Sequence, residues 1–240
     1  ALPGIFQMSF EWLVLEIVVL LSGYVTEPTI SIATTVIITN FDLVTFGFQN
    51  RVGTTMSIEV GKYIGSGMIS IAKKYSYVGV CYSNVISIIF VLILYFTRNI
   101  ISYLWTKDER VIHLTTTVIY IYMIYVFNNG FKAAIQGIYR GLGLQKISSY
   151  FVIFGYWFVA IPLCLLLLFL PAIKLRDNLY LGTQFIWICV TIGNVISGYG
   201  VGIHLLLGYA KYNISAMNSQ KRITMNVQQC TKYGSFDHDT

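Results

Sequence analysis

Charge is what this sequence has least of. Charged residues make up 11% of the chain, where a soluble domain carries roughly 25%. With 56% of residues apolar, a water-soluble fold of this length would leave apolar surface uncovered, because its surface-to-volume ratio demands polar cover. Three stretches hold no charge at all: Tyr75 to Thr97, Ile147 to Ile173, and Asn178 to Ala210. Each exceeds the ~20 residues with which a helix crosses ~30 Å of hydrocarbon. These stretches exclude the soluble class, and the bilayer is the natural solvent.

Other absences narrow the function. The four cysteines, Cys81, Cys164, Cys189 and Cys230, are scattered, with neither metal-ligand nor disulfide-framework spacing. Gly65-Ser66-Gly67 follows no strand and precedes no Gly-Lys-Ser/Thr, so it is not a phosphate-binding loop. No nucleophile–base constellation is visible, and an enzyme, a resident cofactor and a metal site are not expected. The net charge of +6 is not a nucleic-acid footprint, since Lys and Arg lie in connecting segments rather than on one face. Membrane lipid is the partner that this pattern fits.

The hydropathy places spans at Leu2 to Tyr24, Ile30 to Val60, Tyr75 to Thr97, Ile112 to Tyr139, Ser149 to Leu170, and Leu181 to Gly208. The expected fold is all-α: six transmembrane helices over residues 1–209, then a polar, disordered tail over 210–240. The second span turns polar at Gln49, Asn50 and Arg51, and is expected to bend or leave the hydrocarbon there. Pro162 is expected to kink the fifth span. Gly137 with Gly141, and Gly198 with Gly202, are small-residue pairs of the kind that let membrane helices approach closely.

Orientation follows from the basic residues. One side holds nine: Lys62, Lys73, Lys74, Arg140, Lys146, Lys211, Lys221, Arg222 and Lys232. The other holds five: Arg98, Lys107, Arg110, Lys174 and Arg176. The richer side is expected to be cytoplasmic, which puts the tail there. The protein is read as a multi-pass membrane protein; hydropathy does not distinguish plasma membrane from vacuolar or vesicle membrane. The chain opens on Ala1, and its first apolar run is too long for a signal peptide and carries two glutamates. A piece of a longer protein is the expectation.

Ionisable groups inside a bilayer cost about 2.5–3.5 kcal/mol each on insertion scales, so each one needs a reason. Glu11 and Glu16 lie in mid-span of the first helix. Five residues apart, they point about 140° from one another and meet different surroundings. A carboxyl held in a low-dielectric cavity can take up and release a proton near neutral pH, as a proton-coupled transporter requires. Its anion would also attract an organic cation, to which Trp12 could add a cation–π contact. The plainer reading is a buried acid serving only as a hydrogen-bond partner between helices. In the fourth span Asn129, Lys132, Gln136 and Arg140 form a polar stripe that cannot face lipid. It lines a water-filled cavity or packs on polar groups of another helix, and Lys132 has the further option of snorkelling to the interface. Asp42 is either functional or a structural partner of Lys132 or Arg51.

These same segments resemble the C-terminal lobe of eukaryotic multidrug-and-toxin-extrusion (MATE) transporters. Ala1-Leu2-Pro3, Glu11-Trp12, Glu16 and Ser22-Gly23 are similar to the family's seventh helix. Glu59-Val60-Gly61-Lys62, Gly65-Ser66-Gly67 and Ala72-Lys73 resemble the segment closing its eighth. Gln136-Gly137 and Arg140-Gly141-Leu142-Gly143-Leu144-Gln145-Lys146 resemble the motif closing its tenth. Gly155-Tyr156 with Pro162-Leu163 resembles its eleventh. The resemblance implies one six-helix lobe of a twelve-helix secondary antiporter, exporting organic cations or xenobiotics in exchange for H⁺ or Na⁺. It further implies Glu11 and Glu16 as the proton- or cation-coupling acids, and a missing N-terminal six-helix lobe as partner. Trp12, Asn129, Lys132, Gln136 and Tyr156 are expected to line the substrate cavity. The chain departs from the pattern at Glu59 and Lys62, where the family has Arg and Asn, at Gln49, where proline is usual, and at Asn129, where an Asp or Glu is usual. The rival readings are a lipid-linked-sugar flippase of the same superfamily and a non-transporting scaffold or truncated relic.

Overall fold

The computed structural model describes the backbone of residues 2–169 and 177–234 and the side chains of 7–169 and 177–208. The elements run in the order α1 (Leu2–Ser22), α2 (Pro28–Gly65), α3 (Ile69–Trp105), α4 (Glu109–Gly141), α5 (Gln145–Ile153), a π-helical segment (Phe154–Ala160), α6 (Ile161–Phe169) and α7 (Leu179–Gly234). No strand occurs among the described residues. Five stretches are long and apolar enough to cross a membrane: α2, α3, α4, the continuous Gln145–Phe169, and Leu179–Gly208. With the 21-residue α1 they make the all-α, six-helix membrane bundle expected from the hydropathy. Residues 1–201 form one compact unit and 202–240 a second. In the second, the backbone is helical to Gly234, through residues that hydropathy reads as a disordered tail. The side chains of Ala1 to Phe6, the connection carrying Lys174 and Arg176, and the side chains of the tail lie outside the described residues.

The bundle is apolar on its outer surface, and its apolar core also buries serines, threonines, amides, Asp42 and Lys132. The buried face of α3 consists mostly of small residues, Ala72, Ser76, Gly79, Ser83 and Ser87, at the helical spacing of three and four. Its outer face carries Tyr82, Val85, Ile89, Leu92 and Phe96, all exposed. Apolar side chains gain nothing from leaving lipid, so close packing and interhelical hydrogen bonds must hold the helices together. Ser83 Oγ donates to the Gly130 carbonyl at 2.7 Å, Ser22 shares a 2.8 Å bond with Thr35, and Ser31 shares one of 2.8 Å with Thr183.

The centre of the unit is α4, which buries residues around most of its circumference, from Val111 to Tyr139. Glycine lets α2 lie directly on it. A Cβ at Gly137 would strike the Gly53 backbone, and one at Gly53 would lie 2.5 Å from the Ala133 carbonyl oxygen. Gly141 is equally tight, 2.8 Å from the Ser57 carbonyl oxygen. Gly137 and Gly141 are thus packing residues, as their spacing indicates. Gly198 meets Lys132 at an ordinary 3.4 Å.

The turns at the lysine-rich end share one device. Gly67 (φ 76°) and Gly143 (φ 71°) take the left-handed conformation. The amides that follow them, Met68 and Leu144, reach back to the carbonyls of Tyr63 and Tyr139 at 2.9 Å each. This satisfies otherwise orphaned helix-terminal carbonyls. The glycine-rich stretches singled out in the sequence are therefore helix stops. At the opposite end Asp108 caps α4 by accepting the Arg110 amide at 2.9 Å, and Arg110 reaches Glu27 at 2.8 Å.

α2 is one continuous helix from Pro28 to Gly65 that runs through Gln49 and ends in the glycine-rich segment. Gln49 is fully buried and spends its amide on α3 and α4 instead of on water. In the fifth span a π turn accompanies Pro162. Pro162 has no N–H, and its ring would crowd the carbonyl four residues earlier. The widened turn Phe154–Ala160 lies just before it, with the Ile161 amide bonded to the Tyr156 carbonyl. Gly155 in this turn rests on Gly193 of α7, where an added Cβ would lie 2.6 Å from the Gly193 carbonyl oxygen.

Candidate functional site

Polar side chains from four elements meet in the interior. α1 brings Glu11, α2 brings Asp42, α4 brings Tyr125, Asn129 and Lys132, and the π segment brings Tyr156. Together with Trp12, Val14, Leu15 and Phe46 they line one cavity of about 20 Å³, close to the volume that one water molecule needs. Single inserted residues in π turns often serve to re-aim a side chain at a functional site, and here the turn carries Tyr156 into the cavity wall.

Lys132 Nζ lies 3.3 Å from Glu11 Oε1 and donates to the Tyr156 hydroxyl at 3.0 Å. It also sits 4.9 Å from the centre of the Tyr156 ring. With 3% of its side chain exposed, it does not snorkel. Gln136, one turn further along α4, donates Nε2 to the same Glu11 oxygen at 3.1 Å. Gln136 is therefore a support of Glu11 behind the cavity and does not line it.

Asp42 is buried at 4% exposure. Its Oδ1 accepts the Tyr122 hydroxyl at 3.2 Å, and that hydroxyl also shares a 2.9 Å bond with Thr45. Asp42 belongs to none of the ion pairs among the described residues, so neither Lys132 nor Arg51 is its direct partner. Asn129 Nδ2 donates to Gln49 Oε1 at 3.0 Å. Gln49 Nε2 in turn donates to the Val126 carbonyl at 2.9 Å and to Ser87 at 3.3 Å. Both amides are thereby held between α2, α3 and α4.

α1 is tied to the fifth span beside the site. Trp157 Nε1 donates to the Phe10 carbonyl at 3.3 Å, the Phe10 and Trp157 rings meet edge to face at 5.2 Å, and Ser149 donates to Gln7 at 3.0 Å. Trp12 packs edge-on against Phe46, 5.9 Å between ring centres.

The structure brings Glu11, Trp12, Asn129, Lys132 and Tyr156 to one cavity. It leaves Glu16 on the exposed face of α1, away from Glu11. Sequence reasoning missed Tyr122, Tyr125 and Phe46 and left Asp42 undecided. The signal for the tyrosines was available, because Tyr122, Tyr125, Asn129 and Lys132 continue one stripe of α4 at spacings of three and four. Its charge marked Asp42 as a residue that needs a reason, but the local pattern of α2 did not say which, because that depends on what faces it.

The family model MatE matches residues 3–166. Protein DETOXIFICATION 9 of Arabidopsis thaliana is 25% identical over 93% of this chain and 44% of its own length. Multidrug and toxin extrusion protein 1 of Oryctolagus cuniculus is 25% identical over 95% of this chain and 38% of its own. Among solved structures, the eukaryotic MATE transporter AtDTX14 superposes with a TM-score of 0.77 at 24% identity, covering 86% of this chain and 44% of that one. This last likeness is one of fold. The chain spans less than half the length of each of these relatives.

Proposed function

The chain belongs to the MatE family, and from that premise we propose that it is the C-terminal six-helix half of a secondary active antiporter. It would export organic cations or xenobiotics in exchange for H⁺ or Na⁺, with a preceding six-helix half as its partner. The observation that carries the reading is the cavity itself. Carboxyl groups from α1 and α2 face one water-sized space in the interior of a membrane bundle, beside a buried ammonium. Intramembrane carboxylates are expensive, and they persist where a cation path needs them. At about 20 Å³ the space suits a proton or a small ion, not an organic molecule. The xenobiotic route is therefore assigned to the interface between halves, where repeat-built transporters rock one bundle against the other. Trp12 and Glu16, partly or fully exposed on α1, are the residues of this chain proposed to face that route.

The flippase reading calls for a free basic group to receive an anionic headgroup, and Lys132 is already occupied by Glu11 and Tyr156. The scaffold reading gives no reason for two buried carboxyls. The test is export of a fluorescent organic cation from proteoliposomes holding the protein with its N-terminal half, under an imposed pH or Na⁺ gradient. Export in response to either gradient is expected. Equal efflux with and without both gradients would refute antiport.

A further inference from the structure

The cavity holds two carboxyls and one ammonium, and only one carboxyl is paired. Glu11 receives Lys132 at 3.3 Å and Gln136 at 3.1 Å. Asp42 receives the neutral Tyr122 hydroxyl and forms no ion pair among the described residues. With all three groups ionised the cavity carries one uncompensated negative charge, which a buried site tolerates only with a compensating cation. Resting on the antiporter reading, we propose that this exchangeable charge is a proton carried by Asp42, with Lys132 a tethered counter-cation that keeps Glu11 occupied.

Three features of the site lead there. The charge of Glu11 is already balanced, since the ammonium at its Oε1 is part of the chain and is held in place by Tyr156. Asp42 is the remaining acid on the cavity wall. It lies within electrostatic reach of both Lys132 and Glu11, and a fixed ammonium repels a metal cation, whereas a proton simply becomes part of a neutral carboxyl. The groups facing Asp42 are Glu11 from α1, Tyr122, Tyr125 and Lys132 from α4, and Tyr156 from the π segment. The Tyr122 hydroxyl, already bonded to Asp42, can donate to its anion and accept from its acid, so both states are served in place. The step balances simply: the Asp42 carboxylate takes one proton from the cavity to become the acid and returns it on release. Lys132 keeps its own proton throughout.

The experiment is infrared difference spectroscopy of the purified protein between acidic and alkaline buffer, combined with gradient-driven export. The carbonyl band of a protonated carboxylic acid is expected in wild type and in Asp42→Glu, and is expected to vanish in Asp42→Asn. It should remain in the double variant Glu11→Gln/Lys132→Gln, which removes the ion pair but keeps cavity charge unchanged. Export by wild type should follow the pH gradient and not respond to replacement of Na⁺ by K⁺, while Asp42→Asn loses its response to pH. Persistence of the band in Asp42→Asn, its loss in the double variant, or export driven by Na⁺ alone would overturn the proposal. Absence of any driven export by wild type would instead refute the antiporter reading, and the infrared band would still decide the assignment to Asp42.

Discussion

Lys132 Nζ stands 3.3 Å from Glu11 Oε1, with the two side chains only 3% and 13% exposed. A buried pair of this kind adds little net stability when compared with an apolar replacement, yet removing one partner leaves an uncompensated charge in a medium that cannot solvate it. This asymmetry makes the pair a strong lever on the protein.

Glu11→Gln is expected to destabilise the protein by about 3–5 kcal/mol, the usual consequence of stranding one member of a buried pair. Adding Lys132→Gln should recover most of that loss. Thermal unfolding in detergent, followed by the fluorescence of the tryptophans, is the measurement. A double variant no more stable than Glu11→Gln would show that the two side chains are not energetically coupled.

Glu16→Gln should leave stability unchanged within about 0.5 kcal/mol, because an exposed side chain with no hydrogen bond or ion pair among the described residues contributes little. Under the antiporter proposal it should weaken export without abolishing it. A large drop in melting temperature would mean that Glu16 has a partner in this chain.

Gly137→Ala should destabilise by about 1–3 kcal/mol, the usual range for overpacking, since the added methyl would collide with the backbone at Gly53. Gly47→Ala is the control, because nothing lies within 4 Å of its added Cβ. There the gain in helix propensity, up to about 1 kcal/mol, should hold or raise stability. Similar melting temperatures for the two variants would contradict the close approach of α2 and α4.

Topology is testable at two exposed turns. With the lysine-rich end cytoplasmic, Ser66→Cys should react with an impermeant thiol reagent only after permeabilisation. Thr106→Cys, at the opposite end, should react in intact cells. The reverse pattern would invert the assignment.

The sequence by itself determined the class of solvent, the number of spans and the helix stops. Charge-free runs longer than a bilayer leave no soluble alternative, and Gly67 and Gly143 end helices through their own backbone freedom. The stripe Asn129-Lys132-Gln136 was legible for the same reason, because a polar face on a membrane helix must turn inward. What each member touches was decided by tertiary structure alone. Gln49 reads as a place where the second span bends or leaves the hydrocarbon until α3 and α4 supply Ser87, Val126 and Asn129 to bond it. Asp42 reads as a coin with two sides until packing sets it on the cavity wall and gives Lys132 to Glu11 instead. The physical reason is one of range: span length and helix stops depend on neighbours within a few residues, whereas charge pairing in a low dielectric depends on which helices pack together.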